Sequence, residues 1–226
     1  MRRPMDGLVA FDLDGTLVDS VSDLASAASA LTMELGGRAL SAAEVVTMVG
    51  DGAGLLVRRA LRAGGLDPET PGALDRFLAL YDERLLETTR LYPGVRATLA
   101  HLEPLLPLAV LTNKPLTPAL RVLEGLGVRT HFVDVIGGDG AWPRKPDPAG
   151  LRSLAAHAGG GPVVLVGDSP VDAETADRAG AAFVLAAYGF GAARFGGPPP
   201  TPFVAADPAD LPRAIGRALG LGAQMA

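Results

Sequence analysis

Short strand-like runs, apolar except for Asp134, recur along this chain, at Leu8-Val9-Ala10-Phe11, Leu108-Ala109-Val110-Leu111, Val133-Asp134-Val135-Ile136, Val163-Val164-Leu165-Val166 and Ala182-Phe183-Val184-Leu185. Each is bounded by turn formers and followed by residues with helical spacing, which predicts strands alternating with helices. Such alternation gives a parallel sheet covered by helices on both faces, an α/β, Rossmann-like core. The pattern changes between Val18 and about Arg90. There, Leu74, Phe77, Leu78, Tyr81 and Leu85 fall at helical spacing and no strand-like run interrupts them, so residues 19–89 are expected to form an inserted all-helical domain. Residues 1–18 and 90–226 then make up the α/β domain. The chain should cross between the two at Val18-Asp19-Ser20 and Leu91-Tyr92-Pro93-Gly94.

Three pairs in the sheet domain, Thr117-Pro118, Asp147-Pro148 and Ser169-Pro170, join a favoured N-cap residue to a proline suited to the first helical position. Each follows a strand or loop carrying polar residues, and in a parallel sheet such loops gather at the carboxyl edge of the strands. Helix N-termini pointing into one crevice favour an anion there. Gly196 to Pro202, GGPPPTP, is too stiff and too poor in N–H donors for a sheet interior and is expected to be a surface loop.

Composition narrows the classes. A chain of 226 residues, 48% hydrophobic, can bury a core, and its formal net charge of −5 disfavours a nucleic-acid partner. There is no cysteine, so disulfides and thiolate metal sites are excluded, in keeping with a reducing, cytoplasmic setting. No apolar run approaches the roughly 20 residues of a membrane helix. Of the twenty Lys and Arg residues only Lys114 and Lys145 are lysine. Both follow strand-like runs, and a position that stays Lys among arginines suits a compact ammonium with rotating donors.

The segment with most chemistry is FDLDGT, Phe11 to Thr16. Residues two apart on a strand face the same way, so Asp12 and Asp14 can aim at one spot, suited to a cation or a phosphoryl group, where the chain leaves the sheet. Three further polar segments fall at strand ends: Thr112-Asn113-Lys114, Lys145-Pro146-Asp147-Pro148, and Gly167-Asp168-Ser169 with Asp172. In order and residue type these four motifs resemble the haloacid dehalogenase superfamily of phosphohydrolases over essentially the whole chain, the helical insertion being its cap. Within it the chain looks most like the phosphoglycolate phosphatases, on Val49-Gly50-Asp51-Gly52-Ala53-Gly54, Thr112-Asn113-Lys114-Pro115 and Gly167-Asp168-Ser169.

The resemblance implies that Asp12 is a nucleophile forming an aspartyl phosphate, that Asp14 is the acid and base, and that Lys145 is catalytic. It also implies Mg2+ held by the Asp12 carboxylate, the Asp14 main-chain carbonyl and Asp168. Elementary chemistry agrees: a carboxylate needs a cation to approach a phosphate dianion, and magnesium prefers oxygen ligands. Asp172 either holds a metal-bound water or orients Lys145, unless it only compensates the dipole of a helix start. Gly15 serves a turn that brings backbone N–H groups to the phosphate, and Thr16 fixes that turn or orients Asp14. Thr112 and Asn113 offer donors to phosphoryl oxygens, with Thr112 alternatively capping a loop. Lys114 can reach the same anion or lie in solvent.

Asp14 argues against halide displacement, since the dehalogenases are expected to lack an acid there. The expected ligand is a small phosphorylated metabolite. The loop around Gly52, with Arg58 and Arg59 behind it, would either offer positive charge to a substrate carboxylate such as that of 2-phosphoglycolate or simply be a helix N-terminus with surface arginines. Nucleotide monophosphates, sugar phosphates, pyrophosphate, phosphomutase activity and a noncatalytic binding role are the alternatives.

Overall fold

The computed structural model describes residues 6–221. Its main sheet holds β1 (Leu8–Phe11), β4 (Leu108–Leu111), β5 (Asp134–Ile136), β6 (Val163–Gly167), β7 (Ala182–Ala186) and β8 (Val204–Ala205), in the order β5-β4-β1-β6-β7-β8, with every pair parallel. Apart from Asp134, the apolar runs are unbroken because both faces of the sheet are covered. Side-chain alternation divides each run between two cores. Val9, Phe11, Val110, Val166 and Val184 pack on one face, and Leu8, Ala10, Leu111, Leu165 and Leu185 on the other. Helices α5 (Val95–Leu102), α6 (Leu116–Gly125) and α9 (Leu211–Ala218) contribute to the first core; α7 (Ala149–His157) and α8 (Pro170–Ala179) contribute to the second.

Strand β1 sits where the strand order reverses, its neighbours β4 and β6 leading away on either side. In a doubly wound sheet this switch point opens a crevice at the carboxyl ends of the strands, and Phe11 delivers Asp12 straight into it.

The cap consists of α1 (Val21–Glu34), α2 (Ala42–Val46), α3 (Ala53–Ala63) and α4 (Ala73–Arg84), with α1 packed against the other three. The helical spacing in α4 is real, but its buried face is Phe77, Leu80 and Tyr81, while Leu74 remains 38% exposed. Two strands unexpected in this region, β2 (Val18–Asp19) and β3 (Arg90–Leu91), form an antiparallel ribbon through which the chain leaves and re-enters the core. The ends of the cap are also tied by Asp23, 1% exposed, whose carboxylate accepts from the backbone N–H and hydroxyl of both Thr88 and Thr89.

Only one of the three expected N-caps keeps its register. Ser169 caps α8 with Pro170 in the first turn. Helix α7 begins one residue late, at Ala149, whose N–H reaches Asp147 Oδ1 at 2.9 Å. Helix α6 begins two residues early instead, at Leu116, because Asp139 on another loop accepts its N–H at 2.7 Å. The Gly196 to Pro202 segment is an irregular, largely exposed loop leading into β8.

Candidate active site

Asp12 continues β1 by donating its N–H to Val166 O at 2.9 Å, which fixes its side chain at the crevice floor. Asp168, at the end of β6, and Asp172, in the first turn of α8, come to the same place: oxygens of these three carboxylates lie within 4.8 Å of one another, all buried. Lys145 joins them, its Nζ 2.6 Å from Asp172 Oδ1 and 2.8 Å from Asp12 Oδ1, with only 2% of its side chain exposed. Asp172 Oδ2 accepts from the N–H of Ser169 at 3.1 Å and from its hydroxyl at 2.6 Å. Both Asp172 oxygens are therefore engaged, one of them holding Lys145 in place.

Charge is concentrated here at low exposure. Burial pushes the Asp12 carboxyl up to about 6, against the pull of Lys145 and with the help of Asp172. Burial, then the charges of Asp172 and Asp12, drives Asp168 well above the usual carboxylate range, despite a 2.7 Å hydrogen bond from Gly191 N–H. Burial alone would lower Lys145, but Asp12 and Asp172 outweigh it and raise it, so the ammonium stays charged. Asp12 Oδ1, although close to Lys145, is buried without a hydrogen bond of good geometry. Such a cluster fits a hard divalent cation, which would hold all three groups ionised and use the free oxygen.

The Asp14 carboxylate stands outside this cluster, facing the other lysine. Lys114 Nζ donates to its two oxygens at 3.0 and 3.1 Å, and Ser20 Oγ donates to Oδ1 at 2.6 Å. Lys114 is 7% exposed, so it is not a solvated strand-end lysine. Burial would lower its ammonium; Asp14, then Tyr81, overcome this and raise it. Tyr81, from α4 of the cap, accepts a 2.6 Å hydrogen bond from Lys114, whose ammonium lies 4.5 Å from the tyrosine ring centre.

Gly15 has φ +89°, and a Cβ there would stand 2.0 Å from Asp168 Oδ2, so the turn admits no other residue without displacing the carboxylate. Gly189 and Gly191 close the far side of Asp168 for the same steric reason. Thr112 Oγ1 accepts from Lys114 N–H at 3.2 Å, the loop-capping alternative, with its own hydrogen left for a further acceptor.

Three expected roles are not those the geometry gives. The Thr16 hydroxyl is buried without a partner and orients nothing; Ser20 is the hydroxyl on Asp14, and the turn is held by main-chain bonds. The Asn113 amide nitrogen donates to Gly50 O and Lys145 O, both at 3.1 Å, tying loops together instead of standing free for a phosphoryl oxygen. Arg59 turns to Asp51 Oδ2 at 2.5 Å and Met48 O at 3.1 Å, and Arg58 pairs with Glu69, so neither lines the crevice.

Between cap and core lies a cavity of about 50 Å³. Asp12, Asp14, Thr112 and Lys114 form its core side; Val49, Gly50, Gly52, Leu56, Phe77 and Tyr81 form most of its cap side. Gly52, at φ +93°, takes a backbone conformation that side chains rarely adopt, with Arg144 3.1 Å from where a Cβ would stand. Among the described residues no helix is long and apolar enough to cross a membrane.

A parallel sheet with an aspartate cluster at its switch point, covered by a helical cap, defines a phosphoric monoester hydrolase. Residues 7–180 match the model of the haloacid dehalogenase-like hydrolases, and the chain belongs to that family. Within it the chain is phosphoglycolate-phosphatase-like. It is 44% identical over 196 residues to the phosphoglycolate phosphatase of Rhodospirillum rubrum, covering 82% of this chain and 81% of that one. It is 40% identical over 189 residues to the phosphoglycolate phosphatase of Cereibacter sphaeroides (strain ATCC 17025), covering 80% and 85%. The crystal structure of a predicted phosphoglycolate phosphatase from Haemophilus somnus 129PT superposes with a TM-score of 0.80 at 31% identity, covering 90% of this chain and 95% of that one.

Proposed function

We propose that this protein hydrolyses 2-phosphoglycolate to glycolate and phosphate through an aspartyl-phosphate intermediate on Asp12, with Mg2+ as cofactor. What chiefly supports this reading is the convergence of Asp12, Lys145 and Asp168 beneath one small cavity. The names of the relatives point to the same substrate.

In this mechanism an Asp12 carboxylate oxygen attacks phosphorus, an O–P bond forms, and the bond to the glycolate oxygen breaks. Asp14 gives its proton to the departing oxygen and later takes one from the water that attacks the phosphoryl group, releasing phosphate and restoring Asp12. Ser20 and Lys114 hold Asp14 at the angle these transfers need. Lys145, positioned by Asp172, offsets negative charge on the phosphoryl oxygens, and the Thr112 hydroxyl and the backbone around Gly15 supply donors. Asp12, Asp168 and the Asp14 main-chain carbonyl would hold magnesium, which when bound neutralises the phosphate charge that repels a carboxylate nucleophile.

Comparing specificity constants across a panel of phosphorylated metabolites, with and without magnesium, tests the proposal. The expected result is magnesium-dependent turnover with 2-phosphoglycolate ranked first. Turnover of a nucleotide monophosphate or sugar phosphate with a higher constant would replace the substrate, and no turnover of any ester would remove the reading.

A further inference from the structure

The arginines behind the Gly52 loop are turned away, so a charged substrate must find its second contact elsewhere. Among the residues lining the cavity Lys114 is the one cation, 7% exposed and enclosed by core and cap. Its ammonium donates to both Asp14 oxygens and to Tyr81, and it brings a positive charge to the cavity wall. Tyr81 is 3% exposed and accepts from Lys114, and its own hydroxyl hydrogen has no acceptor among the described residues. Burial pushes this hydroxyl above its ordinary value, so the hydrogen is retained. The other cap side chains lining it, among them Val49, Leu56, Phe77 and Leu78, are apolar. An ammonium charge and one unused phenol hydrogen thus sit side by side on the cavity wall.

We propose that Lys114 and Tyr81 together form the specificity site of the enzyme, receiving a carboxylate carried one carbon from the ester oxygen of the substrate. The inference rests on the phosphatase reading above and names the residues that choose among its substrates. Because Tyr81 comes from the cap and Lys114 from the core, this site is complete only with the cap seated. A carboxylate accepts the phenol hydrogen beside the ammonium charge, whereas an uncharged methyl in its place leaves that buried donor unpaired and the charge unanswered, which is how a polar pocket rejects an apolar analogue.

The test compares kcat/KM for 2-phosphoglycolate and for ethyl phosphate, which lacks the carboxylate, in the wild type, Tyr81→Phe, Lys114→Met and Arg59→Ala. Any disturbance of Asp14 caused by losing Lys114 affects both esters and cancels in the ratio. The wild type should favour 2-phosphoglycolate by roughly tenfold or more. Tyr81→Phe and Lys114→Met should each collapse that preference, and Arg59→Ala should keep it. Were Lys114→Met not to fold, Tyr81→Phe, which removes a single oxygen, decides the matter. A preference that survives Tyr81→Phe, or one lost only in Arg59→Ala, overturns the inference while leaving the phosphatase reading intact. A wild type that cleaves neither ester nor an aryl phosphate overturns the phosphatase reading itself.

Discussion

Two buried charges set the clearest expectations for single substitutions. Lys145 lies within 3 Å of both Asp12 and Asp172. A unit charge pair at about 4 Å with an effective dielectric near 20 is worth roughly 4 kcal/mol, equivalent to about a thousandfold in rate. Lys145→Met should therefore lower kcat by about that factor, measured at saturating substrate and magnesium. Asp23 ties the two ends of the cap and acts on stability. Burial tends to raise its carboxyl, but the hydrogen bonds from Thr88 and Thr89 prevail and hold it below the ordinary value of 3.8. A group lowered on folding contributes its stability above the unfolded value and loses it as pH falls through the folded one. Asp23→Asn should unfold at lower urea than wild type at pH 7, by on the order of 3 kcal/mol, and the gap should narrow below about pH 4. A gap that is constant down to pH 2 would contradict this.

The loop between α2 and α3 is where cap meets core. Asp51 binds Arg59 of the cap and, at 3.2 Å, Arg194 of the core; Arg194 also donates to Val49 O at 2.8 Å, and Asn113 donates to Gly50 O. Two positive-φ glycines, Gly50 and Gly52, let this loop bend under those arginines. Arg194→Ala should release it: amide hydrogen exchange at residues 49–52 should quicken and KM should rise more than kcat falls. Unchanged exchange would show that the clasp does not hold the loop. This contact also explains what the sequence could and could not reveal. Strands such as β1 and β6 were legible because an apolar run buried on both faces needs no partner to be recognised, and the four motifs lie at their ends. The β2–β3 ribbon and β8, two residues per strand, are too short to carry a pattern. Which cap residues face the substrate depends on how α3 and α4 seat on the core, through contacts such as Asp51 with Arg194, 143 positions apart. Spacing alone therefore pointed to Arg59 and passed over Tyr81 and Ser20, whose only signals were a helical apolar face and an exit turn. The start of α6 eluded the N-cap rule because its partner, Asp139, comes from another loop.

The sheet and the carboxylate cluster stand or fall together, since Asp168 and Asp12 reach one point only when β1 and β6 are paired. Magnesium binding to the folded state alone must then stabilise the protein, by about 2.7 kcal/mol at a hundred times its Kd. The Tm should rise with magnesium in the wild type and stay fixed in Asp168→Asn; equal shifts in both would place the ion elsewhere. The central claim is the covalent step on Asp12, and it has a direct test. Enzyme turning over 2-phosphoglycolate with magnesium is quenched in acid and the phosphoryl group is located by peptide mass spectrometry. We expect it on Asp12, with neither the adduct nor turnover in a folded Asp12→Asn protein; turnover by that variant, or a working wild type that never carries phosphate on Asp12, would contradict the mechanism.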